Sequence, residues 1–301
     1  MEKRKIVIIG AGKVAYSLVS ALLEANYHVA SIISRNFTSA KSLAKKFSIG
    51  HYSNNIKNIP EEVKIFFLTV PDGEIKNTAE GLSKLKRDFR DCICIHFSGV
   101  EDIFALKFLQ RKECATGSLH IIRPFPSKNL VEIKNFPASI ETEDKRAYNF
   151  LKQLCKSLKL KANKITSDEK VLNHLSAVHS SNFLVGNLYN AFSLISSKGD
   201  LPKEILQQTT HSALDNVFKL SPVKALSGPV DRGDLYAIKK HLEALDLKIK
   251  KSKKNKSLKL LRLSYIVQSL GLLNIAEKKY GRLNRNHQKI KKFLKEKFEE
   301  D

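Results

Sequence analysis

Gly10, Gly12 and Ala15 stand in the run Gly10-Ala11-Gly12-Lys13-Val14-Ala15, directly after Lys5-Ile6-Val7-Ile8-Ile9. Those residue types at that spacing can seat a pyrophosphate. Gly10 permits a tight turn, Gly12 lets backbone approach the anion without a Cβ in the way, and Ala15 keeps the following helix close to its strand. From Val14 the apolar residues Leu18, Leu22 and Leu23 recur at helical spacing, so the unit reads as strand, glycine turn, helix. Lys13 and Val14 open that helix, whose free N–H groups and partial positive charge face the anion. A bare glycine triplet is more often only a turn; its place after an aliphatic strand turns the reading toward a dinucleotide.

Three further groups carry chemistry. Ser34 and Arg35 end the strand-like run Tyr27 to Asn36, where an acidic residue would hold a free ribose 2′-hydroxyl. A hydroxyl and a guanidinium suit a 2′-phosphate, so NADP is preferred over NAD; the other reading of Arg35 is a surface residue at a strand end. Val70 and Pro71, and Ser98 and Gly99, close two more buried runs, Val63–Asp72 and Cys92–Gly99. They either punctuate strand ends or meet the nicotinamide end of the cofactor at the carboxyl edge of a sheet. Finally, His174, His179, Ser181 and Asn182 form a polar cluster on a run read as one helix from Ser167, its N-cap, to Gly186. On that helix Asn182 falls between the lines of His174 and His179. A lone histidine on an apolar face is more often a satisfied core residue, yet an imidazole titrates near neutral pH and can act as a general acid.

The elements that must position these groups alternate strand and helix as far as about Thr166. A helix is expected over about Ser39–Phe47, short strands around Gly117–Ile122 and Ala138–Glu141, and a helix over about Glu143–Leu158. This alternation argues a doubly wound α/β domain at residues 1–166. Residues 167–301 read as all-α, with later helices over about Pro202–Phe218, Leu235–Leu247 and Leu258–Lys279. Between the first two lies Leu226-Ser227-Gly228-Pro229-Val230-Asp231-Arg232-Gly233-Asp234, either a salt-bridged turn or a substrate-facing loop. Lys248–Lys256 is the one low-complexity stretch, expected as a linker or frayed helix end.

The chain has 301 residues, 42% of them hydrophobic, enough for two domains with cores of their own. No run approaches the roughly 18 apolar residues of a membrane span, and a cytoplasmic, membrane-free protein is expected. Four cysteines, with Cys92 and Cys94 on one face of a strand, read as core packing rather than as a metal site or disulfide scaffold. There are 53 basic against 30 acidic residues, a net +23, of which +12 lies from Lys248 onward. Solvated helix faces are preferred over nucleic-acid binding as its explanation, since the tail lacks interleaved aromatics.

In this order, Gly10-Ala-Gly12-Lys-Val-Ala15, Val70-Pro71-Asp72, His96-Phe-Ser98-Gly99, Ser118-Leu-His120, the His174–Asn182 segment and Ser227-Gly-Pro-Val-Asp-Arg-Gly-Asp234 resemble a bacterial family. Its members are described as Rossmann-like, NADP-dependent oxidoreductases with a helical C-terminal domain of unknown function, and the likeness covers about residues 4 to 280. It implies kinship with ketopantoate reductases, pyrroline-5-carboxylate reductases and β-hydroxyacid dehydrogenases. The implied fold is a Rossmann domain followed by an all-α domain like the C-terminal domain of 6-phosphogluconate dehydrogenase, through which such enzymes often dimerise. The implied reaction is hydride transfer from NADPH to a small carbonyl or imine carboxylate. His174 is then the expected acid with Lys170 as runner-up, Asn182 an orienting amide, and His120 and Arg232 the carboxylate clamp. A non-catalytic NADP-binding regulator is the alternative. Two departures stand out: Ile121 follows His120 where a proline is common, and the basic C-terminal extension is unusual.

Overall fold

The computed structural model describes residues 5–195, 201–252 and 256–300. Eight strands make one sheet: β1 (Lys5–Ile9), β2 (His28–Ile33), β3 (Tyr52–Ser53), β4 (Ile65–Leu68), β5 (Ile93–His96), β6 (Ala115–Ile121), β7 (Pro137–Glu141) and β8 (Lys161–Lys164). Their order is β3-β2-β1-β4-β5-β6-β7-β8, parallel throughout except for the antiparallel pair β6–β7. The chain therefore reverses direction across the sheet between β1 and β4, the switch point at which doubly wound sheets open a crevice.

Alternation along the central strands explains why the sheet is covered on both faces. Ile6 and Ile8 of β1, Ile65 and Phe67 of β4, and Ile93 and Ile95 of β5 join one core. Val7 and Ile9, Phe66 and Leu68, and Cys94 join the other. Such near-continuous aliphatic strands need helices on each side. These are α1 (Lys13–Glu24), α2 (Phe37–Lys46), α3 (Ile75–Ser83), the short α4 (Lys107–Gln110) and α5 (Lys145–Ser157). Cys92 and Cys94 pack in the second core, and all four cysteines are free and buried, so the packing reading stands. The two lysines of β8 lie at the sheet edge, where charge discourages further strand pairing.

The chain divides into two compact units, residues 1–184 and 185–301. α6 (Ser167–Ser180) belongs to the first, and the division falls inside α7 (Asn182–Leu194). The N-cap of α6 is Thr166 rather than Ser167: its side chain accepts the Glu169 N–H while the Glu169 carboxylate accepts the Thr166 N–H, a reciprocal capping box. And the helix expected to continue to Gly186 breaks at Ser181 (φ −125, ψ −66), whose hydroxyl turns back onto the Ala177 carbonyl at 2.6 Å.

The second unit is helical: α8 (Leu201–Leu220), the short α9 (Pro222–Ala225) and α10 (Pro229–Arg232), α11 (Leu235–Lys251), α12 (Lys256–Tyr280) and α13 (Arg285–Glu299). The last was hidden in the basic tail. Its Ile290 and Leu294 are buried in the unit's core with Ile238, Leu242, Ile266 and Leu273, while its lysines face outward. In the stretch read as a linker, α11 runs on to Lys251, and residues 253–255 lie outside the described residues.

The Gly228–Asp234 loop is a stitched corner. Gly228 (φ 97) and Gly233 (φ 71) bracket α10, and the Asp234 carboxylate caps α11 by accepting from Ala237 N. Asp231 accepts from Lys279 Nζ at 3.0 Å and from the Tyr280 hydroxyl, and its carbonyl is 3.0 Å from His287 Nε2. The salt-bridged turn is therefore formed, by Asp231 with a lysine distant in sequence. Arg232 remains exposed beside it. Among the described residues no helix is long and apolar enough to cross a membrane.

Candidate functional site

The carboxyl ends of β1, β2 and β4 open a cavity of about 720 Å³ lined by Gly10, Gly12, Ser34, Arg35, Val70 and Pro71, with Asn54, Asn55, Glu74 and Asn77 at its polar parts. Its floor is built from close backbone approach. Gly10 sits at φ +109 with its N–H on the Ile33 carbonyl, and a Cβ there would lie 2.5 Å from the Thr69 carbonyl carbon and oxygen. No other residue fits without moving the backbone of the neighbouring strand. Thr69 fixes that approach by donating its hydroxyl to the Gly10 carbonyl at 2.7 Å. Gly12 is the N-cap of α1 and makes no side-chain cap, and the first turn holds no acid. Its leading N–H groups are therefore left for an anion, as a pyrophosphate requires. Glycine floor, uncapped helix and a strand end bearing Ser34 and Arg35 together fit a dinucleotide with a 2′-phosphate.

A second constellation lies farther along the same sheet edge, built by α6 laid against β6. Ser118 and His120 share one face of β6, two residues apart, while Lys170 and His174 share one face of α6, four apart. The result is two rungs. In the first, the Lys170 ammonium donates to Ser118 Oγ at 2.6 Å, to Glu141 Oε2 at 2.9 Å and to the Glu101 carbonyl. In the second, the rings of His120 and His174 stand 5.4 Å apart, tilted by 60°.

The first rung is closed to solvent, with the Lys170 and Glu141 side chains 1% and 3% exposed. Glu141 is further satisfied by the Ser167 hydroxyl at 2.6 Å and by Ile103 N. Burial pulls the Lys170 ammonium below the usual lysine range, and the Glu141 carboxylate works against that pull. With every proton engaged, Lys170 is poorly placed to hand one to a substrate.

Gly99 lies beneath the second rung. A Cβ on it would stand 2.5 Å from His174 Nδ1 and 2.8 Å from His120 Nε2, so the glycine lets both rings close on the end of β5. The Gly99 turn is held by Ser98, whose hydroxyl accepts the N–H groups of Val100 and Glu101 and whose own N–H donates to His96 Nδ1. Burial, then the neighbouring His174 and Lys170, lower His120 to about 4, so at neutral pH it offers a hydrogen bond and no charge. His96, fully buried, is likewise held neutral, chiefly by desolvation. The buried Nδ1 of His174 has no hydrogen-bond partner among the described residues. A buried polar atom without a partner beside a glycine calls for a ligand group or water.

Residues 5–95 match the family described as NADP oxidoreductase coenzyme F420-dependent, and residues 136–260 match a domain of unknown function, DUF2520. The chain is an NADP oxidoreductase domain joined to a DUF2520 domain. Solved structures share its fold. A Bacteroides fragilis protein provisionally described as an NADP oxidoreductase is 23% identical, covers 88% of this chain and 97% of its own, and superposes with a TM-score of 0.69. A pyrroline-5-carboxylate reductase from Coxiella burnetii is 16% identical over 90% of this chain and 99% of its own, with a TM-score of 0.52. An Aspergillus terreus reductive aminase solved with NADPH and ethyl levulinate is 11% identical over 99% and 94%, with a TM-score of 0.57. No curated protein sequence matches the chain.

An NADP-dependent oxidoreductase needs a groove for its cofactor, and the cavity at the carboxyl ends of β1, β2 and β4 lies wholly in the first unit. Of the residues read from sequence, the groove gathers Gly10, Gly12, Ser34, Arg35, Val70 and Pro71. Lys13 and Val14 open α1 beside it without lining the cavity, and Ser98 and Gly99 belong with His120 and His174. Asn182 heads α7 past the break and accepts a hydrogen bond from Ser181 at 2.9 Å; its expected angular place between the two histidines does not survive the break. Arg232 lies in the second unit. Thr69, Glu74 and Glu141 were missed. None of the three stood out by residue type or spacing: a Thr, a Glu after a proline turn and a Glu ending a short strand each read as ordinary strand-end residues.

Proposed function

We propose that this NADP oxidoreductase reduces a small carbonyl or imine carboxylate, in the manner of a 2-keto acid reductase of the ketopantoate-reductase kind, with His174 as proton donor. Bound NADPH would supply the hydride; Gly10, Gly12 and the head of α1 would hold its pyrophosphate, and Ser34 and Arg35 its 2′-phosphate. The observation that carries the reading is the His120–His174 pair closed over Gly99, at the end of the strand next to β4, whose own end lines the groove.

As hydride adds to the substrate carbon, negative charge grows on its oxygen or nitrogen. The neutral imidazole of His120 steadies that charge by donating a hydrogen bond, and His174 delivers the proton. A preorganised neutral imidazole stabilises a developing oxyanion without first holding a carboxylate in its place. The carboxylate then needs a true cation. Arg232 is proposed for it: it is exposed, and the adjacent Asp231 is already satisfied by Lys279. Lys170 is assigned to holding α6 on the sheet, and Asn182 is left without a supporting geometry. A homodimer built on α7 completes the proposal, since that helix buries none of its residues in the single chain.

The test is NADPH oxidation against a panel of 2-keto acids, aldehydes and cyclic imines, repeated with His174→Ala. Turnover on the accepted substrate should fall by about 10²- to 10⁴-fold, the range for loss of a general acid, while the Kd for NADPH stays within about threefold. Unchanged turnover would remove His174 from the chemistry. NADPH binding with no oxidation across the panel would favour a regulatory cofactor sensor instead.

A further inference from the structure

Arg35 does not stand free at the strand end where the 2′-phosphate is expected. Its Nη1 is 3.1 Å from Glu74 Oε2, and the two side chains reach each other from the ends of β2 and β4 on opposite sides of the groove mouth. The guanidinium is 78% exposed and the carboxylate 33%. Both residues line the cavity that the cofactor reading assigns to NADP, together with Ser34, Asn36, Asn54 and Asn55. The Glu74 backbone is set firmly: its N–H donates to the Pro71 carbonyl, its carbonyl accepts the Thr78 hydroxyl at 2.7 Å, and it is the N-cap of α3. The fixed backbone keeps the carboxylate tethered within reach of the groove mouth when a dianion arrives.

We infer that Glu74 is a specificity-determining residue: its carboxylate competes with the ribose 2′-phosphate for Arg35 and so moderates the preference for NADPH over NADH. The chemistry is an exchange of partners. A guanidinium prefers a phosphate dianion, with its greater charge and three acceptor oxygens, to a single carboxylate. On exchange the protein gives up one exposed ion pair and is left with a carboxylate near the phosphate. A cofactor with a free 2′-hydroxyl makes no such demand and leaves the Arg35–Glu74 pair in place. The inference rests on the assignment of the groove to NADP.

The experiment measures, by calorimetry, the Kd of the full chain for NADPH, NADH, 2′,5′-ADP and 5′-AMP in the wild type, Glu74→Gln, Arg35→Gln and the double variant. Glu74→Gln should tighten NADPH and 2′,5′-ADP by about three- to fivefold, the upper end of what one exposed ion pair is worth, and leave NADH and 5′-AMP within about twofold. In the Arg35→Gln background the same change should give less than half of that gain, because the contested group is gone. The inference is overturned if Glu74→Gln weakens NADPH, which would make Glu74 a support that holds Arg35 in position. It is equally overturned if all four ligands shift together, which would reduce Glu74 to general charge at the lip. Failure of the wild type to bind either 2′-phosphorylated ligand would instead strike at the placement of NADP in this groove.

Discussion

Between pH 6.5 and about 4 the folded and unfolded chains differ over a proton on His120. In the unfolded chain the imidazole titrates near its ordinary value of about 6.5; in the fold, burial, His174 and Lys170 lower it to about 4, with Asp72 alone pulling the other way. Below pH 6.5 the unfolded state therefore binds the proton first. Stability from this residue is full above pH 6.5 and drains away as the pH falls toward 4. At pH 4.5 the loss attributable to His120 should be about 2 kcal/mol. Urea unfolding of wild type and His120→Gln at pH 7 and pH 4.5 reads it directly: the variant should lose less stability on acidification by about that amount, while His96 and the carboxylates paired with cations, such as Glu80 and Asp88, contribute to the part that remains in both. Equal losses in the two proteins would mean that His120 is not held neutral and that its part as an uncharged donor is misassigned.

At the scale of elements, α6 is located by one buried ion pair. Lys170 and Glu141 fasten the helix to β6 and β7, and the histidine rung one turn farther on inherits that register. Removing one partner of such a pair strands the other in a site without water. Lys170→Met should therefore cost about 3–5 kcal/mol in urea unfolding, whereas Lys170→Met combined with Glu141→Gln should recover a good part of it. A single variant as stable as wild type would show that packing alone seats α6. This pair also marks where legibility in the sequence stops. Every central strand and the glycine turn could be read because aliphatic runs and Gly10 act locally, and the unbroken run Ile6-Val7-Ile8-Ile9 announces its two-sided burial. The partnership of residues 141 and 170 is a contact across the fold, and a lysine on a helix reads by default as surface. The break at Ser181 was invisible for a related reason: a serine hydroxyl can leave a helix running or turn back onto its own carbonyls, and only the surroundings decide. α13 was masked by lysines, although His287, Ile290 and Leu294 keep the i, i+3, i+7 spacing of a buried stripe.

For the molecule as a whole, the surface that water should not see is α7. A 13-residue helix of sequence Asn-Phe-Leu-Val-Gly-Asn-Leu-Tyr-Asn-Ala-Phe-Ser-Leu buries none of its residues, and Val185 and Tyr189 are each 68% exposed. Monomeric proteins rarely leave apolar groups so densely grouped, and a helix that is apolar on more than one face is normally covered on more than one side. A second copy supplies such a cover without any other component, and closed two-fold association is the commonest way for identical chains to do so. The strong net charge of +23 opposes random clustering, so the association should be specific and saturate at a defined size. Sedimentation velocity of the full chain at micromolar concentration should give a dimer. Val185→Glu with Tyr189→Glu should shift it to monomer, with the first unit still binding NADPH, because the groove draws on residues up to Gly81 alone. A wild type that sediments as a monomer at about 100 μM, at least ten times the Kd expected of even a weak standard-size interface, would leave α7 to some other partner and end the homodimer proposal.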